Sequence, residues 1–220
     1  MGHNARPSWR RSALTRLFGL LLFLPVPLVL FLFTRAPLGI AASLAVGVVL
    51  VATHRLYARP FALAHAGRRC LWCGRGSLGG PNLVVEEPLG TTTWSTCGQP
   101  HRERARRFLA WASDHRRFLQ VGILGALAAF LAAAALVAAG VAGALTYPDA
   151  VNGFRLAIAL TVLPLGLLAL RGPAPPDRPL RTPFPVHIQA LIGTWAVSWL
   201  FRLVGLAWLV LAVRHFAARP

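Results

Sequence analysis

Long apolar stretches alternate with polar ones along most of the chain, and this pattern predicts membrane-spanning helices. Five stretches have roughly the length that a helix needs to cross the hydrocarbon layer of a bilayer. They cover residues 17–33, 36–53, 118–146, 154–170 and 188–213. We therefore predict an all-α polytopic membrane protein with about five transmembrane helices.

The first apolar stretch contains Pro25 and Pro27, which we expect to kink its helix. A secretory signal peptide is the alternative for this region, with a cleavage site near residues 39–43. The apolar run of 17–33 is longer than the core of a typical signal peptide, and a second apolar stretch follows closely. We therefore favour a membrane helix.

The polar insertion at 54–117 separates the second and third apolar stretches. Within it, NLVVEE and TTTWST are rich in β-branched residues and are joined by PLG, which predicts a small β-hairpin between helices 2 and 3. From about Pro100 the sequence predicts a basic amphipathic helix that runs into the third stretch. Phe108, Leu109 and Trp111 lie among its arginines and are expected at the lipid headgroups.

All three cysteines of the chain lie in this insertion. Cys70 and Cys73 form a C-x2-C pair followed by glycine, and Cys97 and His101 form a C-x3-H pair. Zinc binds thiolates and imidazole in a tetrahedron, and cytoplasmic cysteines remain reduced and available to a metal. We predict a structural zinc ion on these four residues, in a zinc-ribbon-like unit that the hairpin connects.

Other interpretations of the cysteine cluster stay open at this point. The same four ligands can hold a [2Fe–2S] cluster, or the cysteines can be small buried apolar residues without a metal. The fourth ligand is the least certain from spacing, because His65 or His115 can replace His101.

Charge predicts the orientation in the membrane. The formal net charge is +17, and all 23 basic residues are arginines. With alternating spans, eighteen arginines fall on the side of the N-terminus and the insertion, and three fall on the opposite side. This asymmetry places the N-terminus and the insertion in the cytoplasm of a bacterial-type inner or plasma membrane and the C-terminus outside, with anionic headgroups as neighbours. Because topology accounts for most of the arginines, we do not expect nucleic acid as a partner.

These assignments divide the chain into six parts. They are a basic cytoplasmic N-terminus at 1–16, a transmembrane hairpin at 17–53, the metal-binding insertion with its basic helix at 54–117, transmembrane helices 3 and 4 at 118–170, a stiff Pro-rich cytoplasmic linker at 171–187, and helix 5 with a short extracytoplasmic tail at 188–220. The third span is rich in alanine and glycine, so we expect it at the centre of the bundle.

Arg202 is the most unusual residue within the predicted spans, since a charge inside a membrane is costly and often marks function. Helical spacing places Trp195, Trp199 and Arg202 on one face, which forms a candidate site for an anion or a partner. The alternative is an arginine that snorkels to the interface from a shorter or tilted helix.

Because four protein ligands close the predicted metal site and no acid/base pair occurs within the predicted spans, we favour a non-enzymatic function. We expect an integral membrane subunit or an assembly or scaffold protein whose zinc cap docks a protein partner. One alternative is a transporter or binding protein that uses Arg202 for an anionic substrate. Another is a membrane enzyme or redox protein with a Cys3His centre, in which Glu86 or Glu87 acts beside the metal.

Overall fold

The structure is a computed structural model that describes residues 48–49, 52–66, 68–76, 80–88, 90–171, 175 and 179–218. Within this part of the chain, three helices are long and apolar enough to cross a membrane. The first predicted span, 17–33, lies outside the described residues, and so does nearly all of the second, 36–53. The structure therefore supports three spans and does not support the predicted number of five.

Helices make up most of the described chain. In chain order the elements are a π-helical turn (His54–Ala58), α1 (Arg59–Ala66), β1 (Asn82–Glu87), β2 (Gly90–Ser95), α2 (Gln99–Asp114), α3 (Arg116–Ala138), α4 (Tyr147–Leu168), β3 (Leu180–Arg181), α5 (His187–Ile192) and α6 (Thr194–Ala217).

The predicted hairpin is confirmed. Strands β1 and β2 pair antiparallel with Leu83 opposite Trp94, and both of these side chains are buried. Alternation along the strands turns the neighbouring Val84 and Thr93 to the other, exposed face. We call the sheet, helix α2 and the Cys70–Gly74 turn the polar subdomain.

Helix α2 packs one face against the sheet of the polar subdomain. Phe108 and Leu109 are each 1% exposed and belong to the core that also holds Trp94. We expected these apolar residues at the lipid headgroups, and the structure instead uses them to bury the inner face of the sheet. The helix ends at Asp114, and α3 begins at Arg116 after a single residue, so the predicted continuous helix is interrupted at His115.

The Pro-rich segment 171–187 is more than the stiff linker that its composition predicted. Leu180 and Arg181 form β3, which pairs parallel with β1 and completes the order β2-β1-β3. Leu180 and Val186 are buried in the core of the polar subdomain. The segment thus brings the chain that precedes α5 against the hairpin.

Among the three long helices that the structure describes, α4 is the central one, whereas we expected that place for the third span. Ten residues of α4 are buried, whereas only three of α3 are. Helix α4 also begins at Tyr147, earlier than its apolar pattern indicated, because Thr146 and Asp149 form a capping box. Asp149 in addition lies 2.8 Å from the Nε2 atom of His215, which links the start of α4 to the end of α6.

The fifth predicted span is two helices. Gly193, with a φ of +93°, separates the short α5 from the membrane-length α6. Because α6 begins at Thr194 and each residue rises about 1.5 Å, Arg202 lies only about 12 Å from the start of the helix. Arg202 is therefore nearer to the polar end of its helix than the apolar pattern indicated.

Glu87 joins the hairpin to the segment that leads into α5. Its side chain is 5% exposed, accepts hydrogen bonds from the Trp94 indole at 3.1 Å and from the Val186 amide at 3.0 Å, and lies 4.0 Å from the Nδ1 atom of His187. Glu86 next to it is partly exposed and pairs with Arg181 at 2.6 Å. Glu87 is thus a buried structural carboxylate, whereas the Glu86 side chain lies at the solvent-exposed edge of the hairpin.

We expect Glu87→Ala to lower the free energy of unfolding by about 2–3 kcal/mol, because it leaves a buried indole and a buried amide without their acceptor. Glu86→Ala is the matched control and should change stability by less than about 1 kcal/mol, since its ion pair is exposed. Thermal unfolding in detergent, followed by circular dichroism, measures both. Equal effects of the two substitutions would contradict the structural role of Glu87.

Candidate metal centre

The Cys70–Gly74 turn presents two thiols to one side. The Cys70 amide donates to the carbonyl oxygen of Arg75 at 2.7 Å, and the Gly74 amide donates to the carbonyl oxygen of Cys70 at 2.7 Å. Gly74 adopts a φ of +65°, in the left-handed region that glycine enters without strain. The glycine that follows the C-x2-C pair in the sequence therefore lets the chain reverse directly behind the second cysteine.

The second ligand pair lies where the hairpin passes into α2. Thr96 anchors the end of β2, because its hydroxyl and its amide both donate to the carbonyl oxygen of Pro81, at 2.6 and 3.1 Å. Cys97 follows directly, and His101 lies in the first turn of α2, where its amide donates to the carbonyl oxygen of Gly98. The C-x3-H spacing thus spans the start of a helix and brings the imidazole back toward the thiol.

The structure brings all four predicted ligands together. One ligand atom from each of Cys70, Cys73, Cys97 and His101 lies within 4.8 Å of the others. The Cys73 and Cys97 sulfurs are 3.7 Å apart, and the Cys70 sulfur is 3.5 Å from the His101 Nδ1 atom. For Zn–S and Zn–N bonds of about 2.3 and 2.05 Å, the edges of a tetrahedron are about 3.8 and 3.6 Å. The two measured distances therefore agree with ligands that surround a single zinc ion.

One edge of the cluster is shorter than such a tetrahedron requires. The Cys97 sulfur and the His101 Nδ1 atom are 2.8 Å apart, in direct contact with each other. A zinc ion bound by both atoms would move them apart by about 0.8 Å, to the tetrahedral edge of about 3.6 Å. Cys97 is exposed and His101 is partly exposed, so the surrounding atoms leave room for that movement.

The thiols share a negative charge. The pKa of Cys70 is lowered to about 4, chiefly because the Cys73 thiol donates a hydrogen bond to it. The same bond raises the pKa of Cys73, while burial, followed by the hydrogen bond with Cys70, raises that of Cys97. Thiolates are the form that binds metals, so a divalent cation would replace the protons that the cysteines hold.

His115, one of the two alternative ligands, does not join this group. His115 is exposed, stacks on Trp111 at 4.0 Å and lies 3.0 Å from that residue's carbonyl oxygen. The side chain of His65 lies outside the part of the molecule that the structure describes. Glu86 and Glu87 are also absent from the described ligand group. His101 is therefore the fourth ligand that the geometry supports.

The turn that carries Cys70 and Cys73 also holds the start of α6. The Thr194 amide and hydroxyl donate to the Leu71 carbonyl oxygen at 2.8 and 2.9 Å, and the Trp195 amide donates to the Trp72 carbonyl oxygen at 3.0 Å. The first amides of a helix have no partner within it, so the Cys70–Gly74 turn caps α6. We did not predict this contact from the sequence, where the Gly193-Thr194 pair inside an apolar run is its only signal.

The turn and the helix junction approach each other closely through two glycines. A Cβ atom on Gly74 would lie 2.7 Å from the Ile192 backbone, and one on Gly193 would lie 2.7 Å from the Trp72 and Cys73 backbone. Only glycine fits at both positions. The Cys70–Gly74 turn therefore lies against the α5–α6 junction.

Arg202 forms a hydrogen bond with the neighbouring helix α4. Its Nε–H donates to the Gly166 carbonyl oxygen of α4 at 2.6 Å, and its guanidinium carbon lies 4.9 Å from the centroid of the Trp199 ring. The Trp195 and Trp199 rings are 6.4 Å apart in an edge-on arrangement. The predicted shared face is confirmed, and a backbone carbonyl with an aromatic ring stabilises the charge.

Comparison with known proteins indicates no function for this chain, so the proposed function rests on the site geometry described above. No protein-family model matches the chain, and no curated protein or solved structure matches it.

Proposed function

We propose that this chain is a membrane-anchored scaffold whose polar subdomain, held together by a structural zinc ion, docks a protein partner. The observation that carries the proposal is the double role of the Cys70–Gly74 turn. It supplies two of the four ligand atoms, and its carbonyl groups bind the first amides of a helix that is long enough to span a membrane. A metal bound there fixes the subdomain relative to the membrane helix.

Zinc is the metal that this ligand set favours. Three thiols and one imidazole fill a tetrahedral shell, and a filled shell is typical of structural rather than catalytic sites. All four ligand atoms lie within 4.8 Å of one another, which suits one ion better than a two-iron cluster with a separate iron for each ligand pair. The closed shell is also the reason to favour a scaffold over a metalloenzyme.

The topology of the proposal follows the arginine distribution. With five spans, the N-terminus and the polar subdomain lie in the cytoplasm and the C-terminus lies outside. In the reducing cytoplasm the three cysteines stay available to a metal. The two further spans of this proposal, 17–33 and 36–53, are predicted from the sequence alone, and nearly all of their residues lie outside the described part of the chain.

The exposed face of the sheet is the docking surface that we propose. Val84 is 53% exposed on this face and has Thr93 opposite it on β2. Strand β2 lies at the edge of the described sheet, and its residues Gly90–Ser95 include neither a charge nor a proline. Edge strands without such protection accept an additional strand from a partner.

The test is site-specific photocrosslinking in cells. A photoreactive amino acid at Val84 should give a discrete crosslinked adduct, and the adduct should disappear when Cys97→Ser is introduced into the same chain. Val121 on α3 is the matched control, because it is also strongly exposed but lies on a membrane-length helix. An adduct at Val84 that survives loss of the metal would contradict a metal-dependent docking surface, as would a Val121 adduct of the same size.

A further inference from the structure

A groove with an arginine-rich wall lies where the polar subdomain meets the membrane helices. Its volume is about 340 Å³. It lies between the metal-binding turn, α2, the end of α4 and the first turns of α6. The lining residues are Trp72, Arg104, Arg107, Leu170, Trp195, Ser198, Trp199 and Arg202.

Helical spacing directs the polar groups into the groove from two sides. Arg104 and Arg107 are three residues apart on α2, so they share one face of that helix. Ser198 and Arg202 are four residues apart on α6 and share one face in the same way. The groove is thus a composite of two helices, which the sequence alone did not bring together.

Two polar atoms on lining residues are buried without a hydrogen-bond partner. They are the Nε atom of Arg107 and the hydroxyl oxygen of Ser198, and Ser198 is only 1% exposed. A buried donor without an acceptor destabilises the protein. Both residues line the groove, so a side-chain rotation would bring each unpaired donor to an acceptor bound there.

The charge of the groove specifies what that acceptor is. Three arginines line it, and none of the described residues that line it is acidic. Among the described residues, no ion pair links Arg104, Arg107 or Arg202 to a carboxylate. Arg202 uses its Nε–H on Gly166, which leaves its terminal N–H groups for a ligand. Planar guanidinium groups with several donors match a phosphate, whose oxygens accept paired hydrogen bonds.

The surroundings favour a phosphate that belongs to a lipid. Trp195 and Trp199 are 55% and 44% exposed at the polar end of α6, and tryptophans are enriched at the level of the headgroups. Further along the same helix Leu203 and Leu206 are exposed and can contact acyl chains. A phosphate in the groove would therefore lie at the depth where the headgroup of a lipid beside α6 lies.

We propose that this groove binds the phosphate group of an anionic phospholipid. Arg104, Arg107 and Arg202 bind the phosphate oxygens, the Ser198 hydroxyl donates a further hydrogen bond, and the tryptophans flank the headgroup. This site is separate from the docking surface on the sheet and involves neither the metal ligands nor Val84, so each proposal can fail without the other.

The experiment is a binding titration of the purified protein in an uncharged detergent. Three of the lining residues are tryptophans, so intrinsic fluorescence reports on the groove. The probes are dioctanoyl phosphatidic acid, dioctanoyl phosphatidylcholine and inorganic phosphate. We expect phosphatidic acid to bind saturably. The other two probes should bind at least about tenfold more weakly, because phosphatidylcholine lacks a net negative charge and inorganic phosphate lacks acyl chains.

Substitutions localise the binding. Arg104→Gln and Arg107→Gln should each weaken phosphatidic acid binding about tenfold, and Ser198→Ala about threefold, since each removes a donor to the phosphate. Arg116→Gln is the matched control; this arginine is exposed at the start of α3 and does not line the groove, so binding should stay within about twofold. Arg104 is itself exposed, so its variant tests the proposal without disturbing the core.

Several outcomes would overturn the proposal. Equal losses in Arg107→Gln and Arg116→Gln would mean that general surface charge attracts the lipid. Equal affinity for phosphatidylcholine and phosphatidic acid would show that the net charge of the lipid does not determine binding. Inorganic phosphate that binds as tightly as the lipid would assign the groove to a soluble phosphate. Unchanged binding in Arg104→Gln and Arg107→Gln would place the lipid elsewhere.

Discussion

Cys97→Ser will release the bound metal and unfold the metal-binding turn together with the start of α2. Structural zinc sites in small domains contribute about 10–16 kcal/mol of apparent binding free energy at neutral pH, and three remaining ligands bind far more weakly than four. The polar subdomain keeps its core around Trp94 and Phe108, so we expect local unfolding and not loss of the whole fold. Limited proteolysis should show rapid cleavage close to Cys70 and His101 in the variant and protection in the wild type.

The control for this prediction is His115→Ala. Besides His101, His115 is the histidine of the insertion whose side chain the structure describes. It stacks on Trp111 and does not belong to the ligand group. It should keep both the metal and the protection from protease. Cleavage that is the same in Cys97→Ser and the wild type would show that the turn holds its shape without a metal.

Gly193→Ala is expected to have the second largest effect, because it separates the metal-binding turn from α6. The new Cβ atom would lie 2.7 Å from backbone atoms of Trp72, Cys73 and Gly74, and the residue would keep an unfavourable φ of +93°. Strained backbone costs about 1–3 kcal/mol, and forcing two backbones apart adds about as much again. We therefore expect a loss of about 3 kcal/mol or more in the free energy of unfolding.

Gly140→Ala isolates the backbone contribution. Gly140 has a similar φ of +72°, and a Cβ atom there would have no neighbour within 4 Å. This control should cost only about 1–2 kcal/mol, from backbone strain alone. Urea unfolding in detergent, followed by near-UV circular dichroism, compares the two variants. Equal losses would mean that the contact between the turn and the helix junction does not stabilise the protein.

The local features of the metal centre could be predicted from the sequence because they depend on short spacings. Cys70 and Cys73 lie in one turn, and Cys97 and His101 flank the start of one helix, so each pair follows from backbone geometry. The hairpin between them followed from β-branched residues and turn residues. The ligand set therefore needed only one long-range contact, between the two pairs, and the structure confirms that contact.

The features that were missed all depend on contacts between distant segments. The parallel pairing of Leu180 with Val85 joins residues far apart in the chain, and the Pro-rich composition around β3 suggested a linker. Phe108 and Leu109 resembled headgroup anchors because arginines flank them in sequence, although their helical face turns inward. Apolar composition likewise placed helix ends poorly, because the Thr146 capping box and Gly193 set those ends.

Metal content of the purified protein tests the central claim most directly. The chain, produced in cells and purified in detergent without added metal, would be analysed by inductively coupled plasma mass spectrometry beside Cys97→Ser. Our account predicts about one zinc per chain in a colourless protein, and none in the variant. A wild-type protein that contains no metal, or one that contains iron and absorbs visible light, would contradict it.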